Sequence, residues 1–271
     1  MELNQVITIA GKEFRDRIRN RWVLAIALVF AVFALLIAYF GGAQEGAVGF
    51  RSIELTIASL VSLVIYLVPL IALVLGFDAI VGERERGSLD LLLSMPITRF
   101  ELLLGKYLGL AAALALSTVA GFGLVAMVLA AQLDAQAWLH YLGFMLSSVL
   151  LGMSFLSLAV LLSVLAGERT RASGMAIATW FFFVLVFDLL LLGALVASSG
   201  HWGDTIFPYL LLGNPAAVFR VMNILAIDEM RTLYGLASVF PAALSNAWLL
   251  GLVMLGWIAA PLAIASWRFR R

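Results

Sequence analysis

Five stretches of this chain, 22–44, 55–77, 107–133, 135–167 and 232–267, contain no charged residue, and a sixth, 172–203, contains one, Asp188. A helix needs about 20 apolar residues to cross the roughly 30 Å hydrocarbon layer of a bilayer. With no water there, the backbone must satisfy its own hydrogen bonds, and unbroken apolar runs of this length do so as helices. Six spans follow, at about 22–40, 56–77, 107–131, 138–166, 174–197 and 243–265. Composition agrees: 64% of the 271 residues are apolar and 12% are charged, against roughly 25% charged in an average soluble domain. A soluble globular domain, a disordered chain and a peripheral membrane protein are excluded. The expectation is an all-α polytopic membrane protein, one transmembrane domain over 1–271, with no nucleic-acid partner.

Cysteine is absent, which removes disulfides, thiolate metal sites and cysteine nucleophiles. The N-terminus resembles a signal peptide, with Lys12, Arg15, Arg17, Arg19 and Arg21 ahead of an apolar run. That run exceeds the usual signal core of about 7–15 residues, and Gly41-Gly42-Ala43-Gln44 is a poor cleavage site. The run is read as a retained first span.

Arginine and lysine set the orientation of such a bundle. With both termini on the cytoplasmic side, 14 of the 17 basic residues lie inside and three, Arg51, Arg220 and Arg231, outside. This bias predicts cytoplasmic termini.

Three segments between or before the spans carry structure of their own. Over 3–20, Leu3, Val6, Ile7, Ala10, Phe14 and Ile18 fall on one helical face, which predicts an amphipathic helix in the cytoplasmic interface. In the 78–106 loop, a helix is expected from Glu83 to Met95, stopped by Pro96. Thr98-Arg99-Phe100-Glu101 then spells a capping box, so a new helix starts near Arg99 and enters the third span. The outer segment 198–241 is too long for a simple hairpin and is expected to be structured. A turn at Asn214-Pro215 and a short helix over 216–227 would make it an outer docking or gating surface.

Few residues suggest chemistry. Gly82-Glu83-Arg84-Glu85-Arg86-Gly87-Ser88 approaches a phosphate loop, but the lysine is missing and two carboxylates stand where phosphates must approach. The chain is therefore not expected to hydrolyse ATP. Asn214-Pro215-Ala216 is the triplet of aquaporins, which need two, and here there is one. No hydrolase motif is present, and His140 and His201 fall near span ends. No catalytic residue and no metal site are expected. Met145 with Met153, and Met222 with Met230, read as packing rather than metal ligands. Asp188 is the one acid at membrane depth, where a charge costs about 2.5–3.5 kcal/mol. Its role is open between function and an interhelical hydrogen bond, and no basic partner is visible at its depth. Gly105, Gly109, Ala113, Ser117 and Gly121 form a stripe of small residues along the third span, a surface for close helix approach.

The run Asp78-Ala79-Ile80-Val81-Gly82-Glu83-Arg84-Glu85-Arg86-Gly87-Ser88-Leu89-Asp90-Leu91-Leu92-Leu93-Ser94-Met95-Pro96, followed by Gly105-Lys106, resembles the loop between spans two and three of ABC-2 type transporter permeases. The resemblance covers the whole chain. It implies a location in a bacterial inner membrane, a coupling helix that docks into a separate cytoplasmic ATPase, a second copy of the chain, and ATP with Mg held by the ATPase rather than by this chain. Four further stretches are similar to the permeases, within that family, of the transporter that matures nitrous oxide reductase. They are Asn4-Gln5-Val6 with Arg19-Asn20-Arg21-Trp22, Asp78 to Glu83, Val184 to Leu189, and Pro208 to Leu212 running to Asn214-Pro215. That likeness implies a periplasmic β-helical accessory protein and a role in denitrification, building copper–sulfur centres. The residues expected to couple to the ATPase are Glu83, Arg84, Glu85, Arg86, Asp90, Leu91, Leu92 and Pro96. The alternative reading is a self-contained secondary transporter or channel using Asp188.

Overall fold

The computed structural model describes residues 3–40, 53–130, 135–197, 206–225 and 246–270. Arg51, His201, Met230, Arg231 and the stretch Gly41-Gly42-Ala43-Gln44 lie outside them. Every regular element among the described residues is helical, and six helices are long and apolar enough to cross a membrane.

The chain begins with α1 (Leu3–Arg19), turns sharply at Arg21, whose φ is 57°, and enters α2 (Trp22–Phe40), the first span. The second span is α3 (Ile53–Gly76). Two short helices follow, α4 (Val81–Glu85) and α5 (Ser88–Leu93), before α6 (Arg99–Leu129) and α7 (Ala135–Leu165) form spans three and four. The fifth span consists of α8 (Arg169–Phe181), a π-helical turn over Phe182–Val186, and α9 (Phe187–Ala197). Two further short helices, α10 (Phe207–Leu211) and α11 (Pro215–Leu225), precede α12 (Ala247–Arg270), the last span.

α7 is the centre of the bundle, packing against α3, α6, α11 and α12. An aromatic chain crosses the core there: Phe30 stacks on Phe122 at 5.1 Å, Phe122 meets Phe144 edge-on at 5.2 Å, and Phe144 reaches Phe219 of α11 at 6.2 Å. Met145 is buried in the same core, and Met153 and Met222 pack partly buried against it.

The small-residue stripe of α6 receives the N-terminal elbow. A Cβ on Gly105 would stand 2.7 Å from the Ile9 Cβ, one on Gly109 2.6 Å from the Ala10 carbonyl oxygen, and one on Gly121 2.6 Å from the Phe30 Cβ. The lower half of the stripe thus seats α1 and the upper half seats α2. Ala113 and Ser117 between them are buried.

The face that α1 turns to α6 differs from its most apolar one. Val6 and Glu13 are buried, whereas Leu3, Ile7 and Ile18 are exposed.

The helix expected over Glu83 to Met95 is broken in two. Gly87 has φ 70°, a left-handed conformation that glycine adopts without steric cost, and it ends α4 and starts α5.

The outer segment 198–241 does not stay outside along its described part. The Asn214 Nδ2 donates to the Phe183 carbonyl, 2.7 Å away and midway along span five. The Trp257 Nε1, midway along α12, donates to the Leu212 carbonyl at 3.0 Å. At 1.5 Å per residue, α11 climbs about 14 Å from Asn214 to Asn223. There the Asn223 Nδ2 donates to the Ser147 Oγ of α7 at 3.0 Å. Residues 207–225 are therefore a re-entrant helix pair, and Asn214-Pro215 opens its outward half at the level of the span centres. Non-helical backbone at that depth needs protein partners. The Phe183 carbonyl, inside the π-helical turn, supplies one by accepting from Asn214.

Candidate functional site: the segment between spans two and three

Local chemistry builds the scaffold of residues 78–106. The Thr98 Oγ1 accepts from the Glu101 amide at 3.2 Å, and the Glu101 Oε2 accepts from the Thr98 amide at 2.9 Å. This is the expected capping box, and it starts α6 immediately after the Pro96 corner. At the other end, the Ser163 Oγ of α7 accepts from the amides of Ile80 and Val81, at 2.9 and 3.0 Å. Those amides open α4 and have no partner inside it.

Long-range bonds then fix the segment to its neighbours. The Arg84 Nη1 donates to the Ala166 carbonyl at 2.8 Å, and the Glu85 Oε1 accepts from the Arg169 amide at 2.6 Å. The Arg169 Nε lies 3.0 Å from the Asp78 carboxylate. These contacts bind α4 to the turn between spans four and five. On the other side the Gln5 Nε2 of α1 donates to the Pro96 carbonyl at 2.9 Å. The Arg99 Nη1 donates to the Phe269 carbonyl at 2.7 Å, on the last turn of α12.

The centre of this framework is ionic. The Lys106 Nζ sits 3.0 Å from the Glu83 Oε1 and 3.2 Å from the Glu13 Oε2. Glu13 also meets the Arg17 guanidinium at 3.1 Å, and Glu83 accepts from the Ser88 hydroxyl. The ammonium of Lys106, a residue 5% exposed, thereby joins α1, α4 and the start of α6. Burial works against the Glu83 charge, but the Ser88 hydroxyl and the Lys106 ammonium hold its carboxyl below the ordinary range. Removing one member of such a group leaves uncompensated charge behind.

The residues expected to couple to an ATPase divide accordingly. Glu83 points inward to Lys106, and Arg84 and Glu85 are spent partly on the 166–169 turn. Leu92 is half-buried against the core. Arg86, Asp90, Leu91 and Pro96 are exposed, joined by Met95. Leu91 is 66% exposed, a large apolar side chain on α5. Glu13 and Lys106 escaped the sequence reading as a pair. The available signal was Glu13 standing seven residues after Val6, on the packing stripe of α1 rather than its polar face.

Asp188 has a partner after all. The Arg220 Nη2 of α11 lies 2.8 Å from the Asp188 Oδ2, which brings an arginine counted as external to the depth of span five. Both side chains remain about a third exposed in the single chain. The pair ties the re-entrant helix to α9.

With this geometry in hand, comparison with known proteins is direct. The chain matches the family described as ABC-2 family transporter protein over residues 7–271. It is 48% identical to the probable ABC transporter permease protein NosY of Pseudomonas aeruginosa, the alignment covering 98% of each chain. It is 45% identical to the protein of the same description from Stutzerimonas stutzeri, over 99% of each. The six helices, the fixed loop between spans two and three and these full-length matches lead to one assignment: the chain belongs to the ABC-2 family of transporter proteins, as an ABC transporter permease.

Proposed function

We propose that a separate cytoplasmic ATPase grips this permease at α4–α5 and drives it mechanically. The observation that supports this reading is the anchoring of residues 78–106. They bond to α1 through Lys106 and Gln5, to the 163–169 region through Ser163 and Arg84, and to α12 through Arg99, while Arg86, Leu91 and Met95 face outward. A push on that outward face reaches three separate parts of the bundle through direct bonds. Packed elements respond to such a displacement by shifting as bodies.

In this reading the termini and α4–α5 lie on the cytoplasmic side, and α1 rests in the interface with Leu3, Ile7 and Ile18 towards lipid. ATP and Mg are held by the ATPase. Two copies of the permease work together, and the largely exposed fifth span suits contact with the second copy. By its resemblance to the permeases of nitrous oxide reductase maturation, the assembled transporter serves the building of copper–sulfur centres. A β-helical accessory protein then stands on the periplasmic side.

The test is the double variant Leu91→Asp with Met95→Asp, which alters two exposed side chains of the outward face and leaves the long-range anchors in place. Recovery of the ATPase with the tagged permease in mild detergent should fall about tenfold or more. ATP turnover of the purified complex should fall with it. Unchanged recovery and turnover would refute ATPase docking at this face.

A further inference from the structure

An apolar groove of about 420 Å³ runs between α6 and α12 at the end of the bundle that carries the termini. Phe100, Leu104, Ala259, Ala263 and Trp267 line it, and Arg270 stands at its end. Ala259 and Ala263 are exposed and one helical turn apart, and their small side chains open the groove along α12. From Ala259 to Arg270 is about 16 Å at 1.5 Å per residue, the thickness of one leaflet of a roughly 30 Å hydrocarbon layer. Sharing Phe100 and Arg270 with it is a second hollow of about 390 Å³, lined also by Thr98 and Arg99.

The charge at this junction is positive. Arg99 is held by its bond to the Phe269 carbonyl and lies 5.7 Å from the Phe269 ring, with further N–H groups to offer. Arg270 is exposed and makes no ion pair with a described residue. The acid in the adjoining hollow, Asp90, shares it with Arg84, Arg99 and Arg268. Arginines at a helix C-terminus answer the helix dipole without any ligand. That does not account for a leaflet-deep apolar channel leading up to them.

We propose that this is a binding site for an anionic phospholipid of the leaflet beside the termini. One acyl chain fills the groove along Ala259 and Ala263. The phosphate lies between Arg99 and Arg270, which match its geometry through charge-assisted hydrogen bonds. Trp267 sits at the headgroup level, where indole rings are enriched. The lipid would fasten the start of α6 to the end of α12, beside the segment that receives the ATPase.

The test is native mass spectrometry of the full permease released from phosphatidylcholine nanodiscs containing phosphatidylglycerol. The unaltered chain should retain phosphatidylglycerol in preference to phosphatidylcholine. Arg270→Gln and Ala263→Trp should each lower that retention about tenfold, while Arg171→Gln, an exposed arginine on α8, should leave it unchanged. Equal retention in all variants overturns the site. Displacement of the lipid by excess inorganic phosphate, with Ala263→Trp silent, overturns the acyl half and leaves a free-anion site. A disulfide between two chains through Ala263→Cys assigns the groove to a second copy and overturns the lipid. Binding of phosphatidylglycerol is read independently of the ATPase, so failure here does not touch the docking proposal, nor the reverse.

Discussion

At Lys106 a single ammonium answers carboxylates drawn from positions 93 and 23 residues away. Its position explains why a cation stands at the first turns of α6: without it, Glu13 and Glu83 would face one another across a largely dry contact. Lys106→Met should lower the stability of the solubilised permease by about 3 kcal/mol, seen as a lower Tm. The double variant Glu13→Gln with Lys106→Met should recover part of the loss, because it removes one stranded charge. A double variant no more stable than the single one would show that Lys106 acts by packing alone. The Asp188–Arg220 pair obeys the same rule at greater depth, where each charge makes the other tolerable. The sequence exposed Asp188 as an isolated acid but gave no hint of Arg220, since its depth depends on where α11 inserts.

Among the elements, α1 owes its place to two glycines on another helix. No side chain fits at Gly109 without displacing the α1 backbone, whereas Gly123, on α6 but off the stripe, faces open space. Gly109→Leu should destabilise the α1–α6 contact by about 1–3 kcal/mol, raising amide exchange over residues 3–19. Gly123→Leu should leave that exchange unchanged, and equal effects of the two would contradict the seating of α1 on the stripe. The stripe itself was legible from its i+4 spacing. Which helix it received was not, because small residues state only that something comes close. The capping box at Thr98 was equally legible, being made within four residues. The break at Gly87 was missed because good helix formers flank it on both sides, while a positive φ is a property of the folded backbone.

For the whole molecule, orientation is the quantity on which the mechanical reading depends. In the proposed orientation, the one the basic residues favour, α4–α5 lie in the cytoplasm. A cysteine at Ser88, introduced into this cysteine-free chain, should react with a membrane-impermeant maleimide only after the cells are opened. Labelling in intact cells would put the segment on the outer face and remove any contact with a cytoplasmic ATPase. The number of spans, their kind and the family follow from the chain read as a string, because burial of uncharged runs in hydrocarbon and side-chain capping act over a few residues to one helix length. The ionic centre at Lys106, the pairing of Asp188 with Arg220 and the descent of 207–225 to the level of the span centres do not follow from it. Each is a contact between elements that meet only once the bundle has packed, and short-range periodicity holds no record of which faces meet.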